Sequence, residues 1–146
     1  MKPRARLLSL FAGAAILACS AGASFAAATV INVTEDGEGG GAMSLKLDPP
    51  TVKAGPATFA VHNDAMTEQH EMVVVRLKSP DLPIPVNATK NRIDESKLKS
   101  LGEVSDLKPG ASGKLNARLT PGTYLLFCNM EGHYEAGMQA RLTVTP

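Results

Sequence analysis

The stretch from Cys128 to Met138, "CNMEGHYEAGM", sets a thiol, an imidazole and a thioether at even spacing, Cys-x4-His-x4-Met. Thiolate, imidazole and thioether are soft to borderline ligands, and the metal that suits all three is copper. A trigonal copper site needs a second imidazole, and the chain has only three histidines. His62 falls inside a strand-like stretch with outward parity, the place of a solvated surface residue. His70 opens the valine-rich "HEMVVV" on the same face as Met72 and Val74, so a ligand from a distant part of the sequence can reach the same end of the fold. His70, Cys128, His133 and Met138 are together what a His₂Cys site with a weak axial methionine requires. Singly, each has a plainer explanation: a methionine at a strand start is usually core, a loop histidine is usually exposed, and a buried cysteine behaves as a small hydrophobe. The joint pattern is what selects copper.

Cysteine usage sharpens the point. The chain has two cysteines, Cys19 and Cys128. Cys19 lies in an N-terminal segment with three positive charges in "MKPRAR", an apolar run from Leu7 to Ala18, and small residues after it. That pattern reads as a secretory signal peptide over residues 1–28, too short and wrongly flanked to span a membrane. The sequence "ILAC" raises lipid attachment at Cys19 as an alternative, against which the bulky Leu17 counts. No paired-arginine export signal is present, and a periplasmic domain over residues 29–146 is the expectation. In an oxidising compartment its one thiol cannot close an internal disulfide. It is then inert and buried, paired with another molecule, or held as a thiolate by a metal. Loss of Lys2, Arg4 and Arg6 takes the net charge from +1 to −2. No basic patch remains, which argues against a nucleic-acid partner.

The elements that must position these groups are short strands. Apolar and polar residues alternate over 29–35, 43–49 and 51–64. "HEMVVVRL" (70–77) has the composition of a buried strand, and "SGKLNARL", "YLLFC" and "MQARLTVTP" follow between Pro-Gly turns. "EDGEGGG" reads as a flexible turn, without the Gly-Lys-Ser/Thr ending of a phosphate loop. Residues 79–104 break the rhythm, with an ordered proline-rich loop and a short helix expected over 93–101. Many short strands with almost no helix predict an all-β Greek-key β-sandwich. Strand parity puts Tyr124, Leu126 and Cys128 on one face and starts the last strand with Met138 inward. The loop between Cys128 and Met138 then sits at one end of the sandwich, with His133 at its middle.

"GTYLLFCNMEGHYEAGM" resembles the C-terminal ligand loop of the cupredoxins, the small type 1 copper family of plastocyanin, azurin and rusticyanin. Its spacing resembles the rusticyanin arrangement more than plastocyanin's shorter loop. "GPATFAVHND" followed by "HEMVVV" resembles the family's approach to its first histidine, and the resemblance extends over residues 29–146. It implies a Greek-key sandwich, one copper per chain and single-electron transfer between Cu(I) and Cu(II). One position departs: many members carry Asn directly after the first histidine, where this chain has Glu71. Groups around the ligands tune a metal's potential, so the potential is not carried over with the fold.

On this reading His133 is the electron port. Met130, Tyr134, Ala136 and Gly137 form an apolar patch around it for transient docking of redox partner proteins to a monomer, and Glu131 and Glu135 charge its rim. An enzyme is not expected. Three histidines cannot supply a second, catalytic copper centre, and a Cys128–His133 hydrolytic pair lacks an orienting group. The competing reading is a periplasmic copper carrier that delivers the ion to an oxidase, a role that Met43, Met66, Met72 and Met130 would suit. A metal-free sandwich that binds a partner protein would leave Cys128 unexplained.

Overall fold

A computed structural model describes residues 27–146. Most of the expected signal segment, with Cys19, lies outside the described residues. Eleven strands follow in chain order: β1 (Thr29–Asp36), β2 (Ser44–Asp48), β3 (Thr51–Lys53), β4 (Gly55–Asn63), β5 (His70–Arg76), β6 (Val86–Asn87), β7 (Arg92–Ile93), β8 (Lys99–Leu107), β9 (Ser112–Leu119), β10 (Gly122–Phe127) and β11 (Gln139–Thr145). One sheet has the order β2-β1-β4-β9 and the other β3-β11-β10-β5-β8, while β6 and β7 form a small hairpin. The chain crosses between the sheets from β4 to β5, from β8 to β9 and from β9 to β10, which makes the sandwich of Greek-key type. Among the described residues no helix is long and apolar enough to cross a membrane.

Period-two alternation builds the core between the sheets. Ile31 and Val33 of β1, Phe59 and Val61 of β4, Met72 and Val74 of β5, and Leu142 and Val144 of β11 are all buried in one cluster. Tyr124, Leu126 and Cys128 join it from β10 and its end, and Met138 joins it just before β11. The other parity of β5 and β10 is buried as well. Val73, Val75, Leu125 and Phe127 form a second cluster on the outer face of their sheet, capped by Leu82, Ile84, Ile93 and Leu98. The proline-rich excursion therefore covers a sheet face that would otherwise expose valine and phenylalanine to water.

The helix expected over 93–101 is not formed. A single 3-10 turn spans Glu95–Lys97, and β8 begins at Lys99. Strand β8 lies at the edge of its sheet and pairs with β5 from His70↔Leu107 to Arg76↔Lys99, through two register shifts. Pairing with an already buried strand outweighs the weak helical preference of "ESKLKSL".

At the end of the sandwich away from the ligand loop, Tyr124 is almost wholly buried, and its hydroxyl turns back on the preceding turn. The hydroxyl donates to Thr120 O (2.9 Å) and accepts from Thr120 N–H (3.0 Å). This is the tyrosine corner of Greek-key sandwiches. Tyr124→Phe removes both bonds and strands backbone groups, so urea denaturation of the metal-free protein should show a loss of about 1–2 kcal/mol. An unchanged unfolding midpoint would mean that water replaces the hydroxyl at no cost.

Candidate metal centre

Cys128 directly follows β10, and the eleven-residue loop it opens is closed by its own backbone. Cys128 N–H donates to Met138 O (3.1 Å), Met138 N–H to His133 O (3.0 Å) and His133 N–H to Met130 O (3.1 Å). The loop docks on the start of β2 through Met43 N–H to Ala136 O (2.9 Å). Gly137, at φ +109°, makes this approach possible, because a Cβ there would stand 2.7 Å from Met43 O. No side chain fits that gap.

His70 comes to the same point from the first residue of β5. Its Nδ1 is 3.2 Å from His133 Nδ1, which is 3.4 Å from Cys128 Sγ, and the three donor atoms lie within 4.8 Å of one another. His70 and Cys128 are wholly buried and His133 is 8% exposed. The tautomer of His70 is set by Gly37, whose carbonyl oxygen accepts from Nε2–H at 3.2 Å and leaves the Nδ1 lone pair facing the cluster. Burial lowers the pKa of both histidines, so both rings are neutral at pH 7. Burial also pushes the Cys128 thiol up to about 12, although the Glu71 amide donates to its sulfur at 3.5 Å. A thiol in this position ionises only when a cation takes the place of its proton. Two neutral imidazoles with converging Nδ1 atoms and a thiol, shut away from water, suit a soft or borderline cation.

The sequence-predicted residues sort clearly. His70, Cys128 and His133 converge, Met138 is wholly buried in the same core cluster as Cys128, and His62 stays outside. His62 is half-exposed on the opposite sheet, with Ser112 Oγ at 2.8 Å and Asp64 at 3.4 Å. The patch expected around His133 differs in detail. Met130 and Ala136 are half-buried against the core, and Tyr134 packs edge-on to Phe127 on the other side of the sheet. A shallow groove of about 290 Å³ reaches His133 between Gly39, Gly40, Gly41, Glu68, Glu131 and Ala136. The glycine run that read as a flexible turn is thus one wall of that groove, and it supplies the Gly37 carbonyl.

Sequence reasoning missed a second feature. Glu35, the last inward residue of β1, is wholly buried, and neither carboxylate oxygen has a partner. Desolvation, reinforced by the Glu71 charge, raises its pKa to about 8. Parity could have found it, since Ile31, Val33 and Glu35 share a face.

No model of a known protein family matches the chain. Auracyanin-B of Chloroflexus aurantiacus is 36% identical over 104 residues, which cover 62% of this chain and 44% of that protein. The chain thus matches less than half the length of this relative. A solved auracyanin B structure superposes with a TM-score of 0.58 at 28% identity, over 82% of this chain and 90% of the other. Rusticyanin from Thiobacillus ferrooxidans superposes at 0.56 with 17% identity, over 82% and 79%, a likeness of fold alone. The chain has the cupredoxin fold. Within that fold, this chain carries Glu71 directly after His70 and a buried acid, Glu35, on β1.

The buried acid gives a signed prediction for the metal-free protein. A carboxyl whose folded pKa is raised costs nothing extra while it is protonated in both states. Stability is lost as pH rises from the unfolded value, near 4.5, to the folded value, about 8. Glu35→Gln removes that loss. Relative to wild type, the variant should gain about 1.4 kcal/mol per pH unit across this window and nothing more above it. Denaturant titrations at several pH values measure the difference, and a difference that does not vary with pH would place the carboxyl in contact with water.

Proposed function

We propose that this protein is a cupredoxin, a type 1 copper protein that carries single electrons between redox partner proteins. Residues 1–28 act as its export signal and residues 29–146 work in the periplasm as a monomer. His70, Cys128 and His133 would hold one copper ion, with Met138 as a weak fourth ligand. The observation that carries this reading is the buried convergence of two histidine Nδ1 atoms and one thiol, with His70 and His133 63 residues apart in sequence. Copper, when bound, supplies the Cu(I)/Cu(II) couple. The chain's own residues do the rest. Gly37 fixes the ring of His70, the Glu71 amide stabilises the sulfur as a thiolate, and the closed backbone of the ligand loop limits movement when the charge changes. His133, at the foot of the groove, is the edge nearest a docked partner.

The carrier alternative loses much of its support. Met43 and Met72 are core residues, Met130 is packed against the core, and only Met66 is well exposed. A donor set shut away from water suits retention of the ion better than its release.

Addition of Cu(II) should give one copper per chain and an intense thiolate-to-copper visible band. Cys128→Ser should abolish the band, and His70→Ala should weaken both band and stoichiometry. His62→Ala should change neither. A full-strength band in Cys128→Ser would remove the ligand assignment. Prompt loss of copper from the reduced protein to a Cu(I) chelator, with transfer to an apo-oxidase, would favour the carrier.

A further inference from the structure

Glu35 has no part in holding or orienting the donor cluster, yet its burial is costly. Its neighbours in register are Leu45 on β2 and Asn63 on β4. Leu45 offers nothing polar, and Asn63 is fully engaged elsewhere: its amide donates to Glu68 O (2.9 Å) and Leu107 O (2.8 Å), and its Oδ1 accepts from Ala65 N–H (2.9 Å). Both oxygens of Glu35 are left without a partner. An ionised carboxylate held this way is uncompensated, so the acid stays neutral until something nearby offsets its charge.

The donor cluster is that neighbour. Glu35 is not one of the three converging groups, so it is no ligand, but its charge and that of Cys128 oppose one another. The remaining charged and titratable groups on the elements around β1 offer no counter-charge. Lys46 and Asp48 of β2 point to solvent, as do Lys114 of β9 and Arg141 of β11, and His62 of β4 lies on the outer face. On β5, His70 is neutral and Glu71 repels. Beside the repulsion from Glu71, the charge left to act on Glu35 is that of the centre itself.

We propose that Glu35 is a proton-binding site coupled to the electron site, so that the protein carries a proton together with its electron. The proposal rests on the copper reading above. On reduction, a partner protein supplies one electron to the centre, and water supplies one proton to the Glu35 carboxylate. On oxidation both leave. The sign follows from charge. A divalent ion bound to the Cys128 thiolate leaves one more positive charge than the thiol it replaces, and this favours the carboxylate. A monovalent ion leaves none, and the acid stays protonated. At an effective dielectric of about 20, a unit charge in the same core alters the proton affinity by about tenfold.

Redox-inert ions separate the two states without any electron transfer. Protein labelled with ¹³C in its glutamate carboxyl groups is loaded with Zn²⁺ or Ag⁺, and the infrared band of the buried protonated carboxyl is followed against pH. Glu35→Gln identifies the band, and the label keeps the measurement possible should that variant fold poorly. The titration midpoint of the Zn²⁺ form should lie about one pH unit below that of the Ag⁺ form. The reduction potential of the copper-loaded protein should fall with pH between its own two midpoints and stay level there in Glu35→Gln. Equal midpoints in stoichiometrically loaded protein would overturn the coupling and leave the copper reading standing. Failure of either ion to bind through Cys128, seen as a missing thiolate absorption, would overturn both.

Discussion

Four residues of β10, Tyr124 to Phe127, pair antiparallel with Arg76 to Val73 of β5, and the whole centre depends on that register. Continued beyond its last pair, it brings Cys128 beside the start of β5, where the Glu71 amide reaches its sulfur. Parity places Cys128 and His70 on the face that looks into the sandwich. A slip of one residue would turn the thiol toward the outer cluster and leave His70 without a neighbour. The register is protected because both faces of these strands are buried, one in the main core and the other under the proline-rich excursion. Slippage would misplace apolar side chains on both sides at once.

Four bracing contacts then hold the loops on that frame. Asn129 accepts from Ile93 N–H (2.7 Å) and donates to Ile93 O (3.1 Å), and Gly132 N–H donates to Asn91 O (2.9 Å), so the β6–β7 hairpin supports the ligand loop from outside. On the other side, the Glu38 carboxylate accepts from Met66 N–H (2.5 Å), and Glu68 accepts from Gly39 N–H (3.2 Å). These bonds tie the glycine loop to the segment that leads into His70 and keep the Gly37 carbonyl over the ring. Asn129, just after the thiol, links the loop to the hairpin through its side chain, and its backbone N–H meets the Glu71 carboxyl beside His70. The excursion thus serves twice, as a cover for apolar surface and as a buttress for the site.

Much of this was legible in the sequence because it depends on period and on rarity. Alternation placed the inward residues of β1, β4, β10 and β11, and the lone thiol with its spaced histidine located the cluster. Strand β8 was not legible. An edge strand with one weakly buried face has little alternation to read, and its polar, lysine-rich start is equally at home in a helix. The contribution of Gly37 was hidden because a backbone carbonyl leaves no signature in residue type. Glu35 was hidden by an assumption: an acid that ends an alternating run reads as the first residue of a turn, and the strand continues through it. A residue that breaks the local rule without compensation is often one that function retains.

The high pKa of Cys128 and the high pKa of Glu35 have the same origin, the exclusion of water from one end of a small sandwich. Without an ion, the fold must keep both groups protonated and let the two imidazole Nδ1 atoms share one proton across 3.2 Å. A single cation answers all of these demands, since it replaces the thiol proton, takes up both lone pairs and offers the buried acid an opposite charge. Ion binding is then also folding free energy, as it is wherever a site exists only in the folded state. The opposite end of the sandwich, closed by the tyrosine corner, makes no such demand. The two ends divide the work: one secures the topology, and the other holds polar groups that are stable together only around a positive charge.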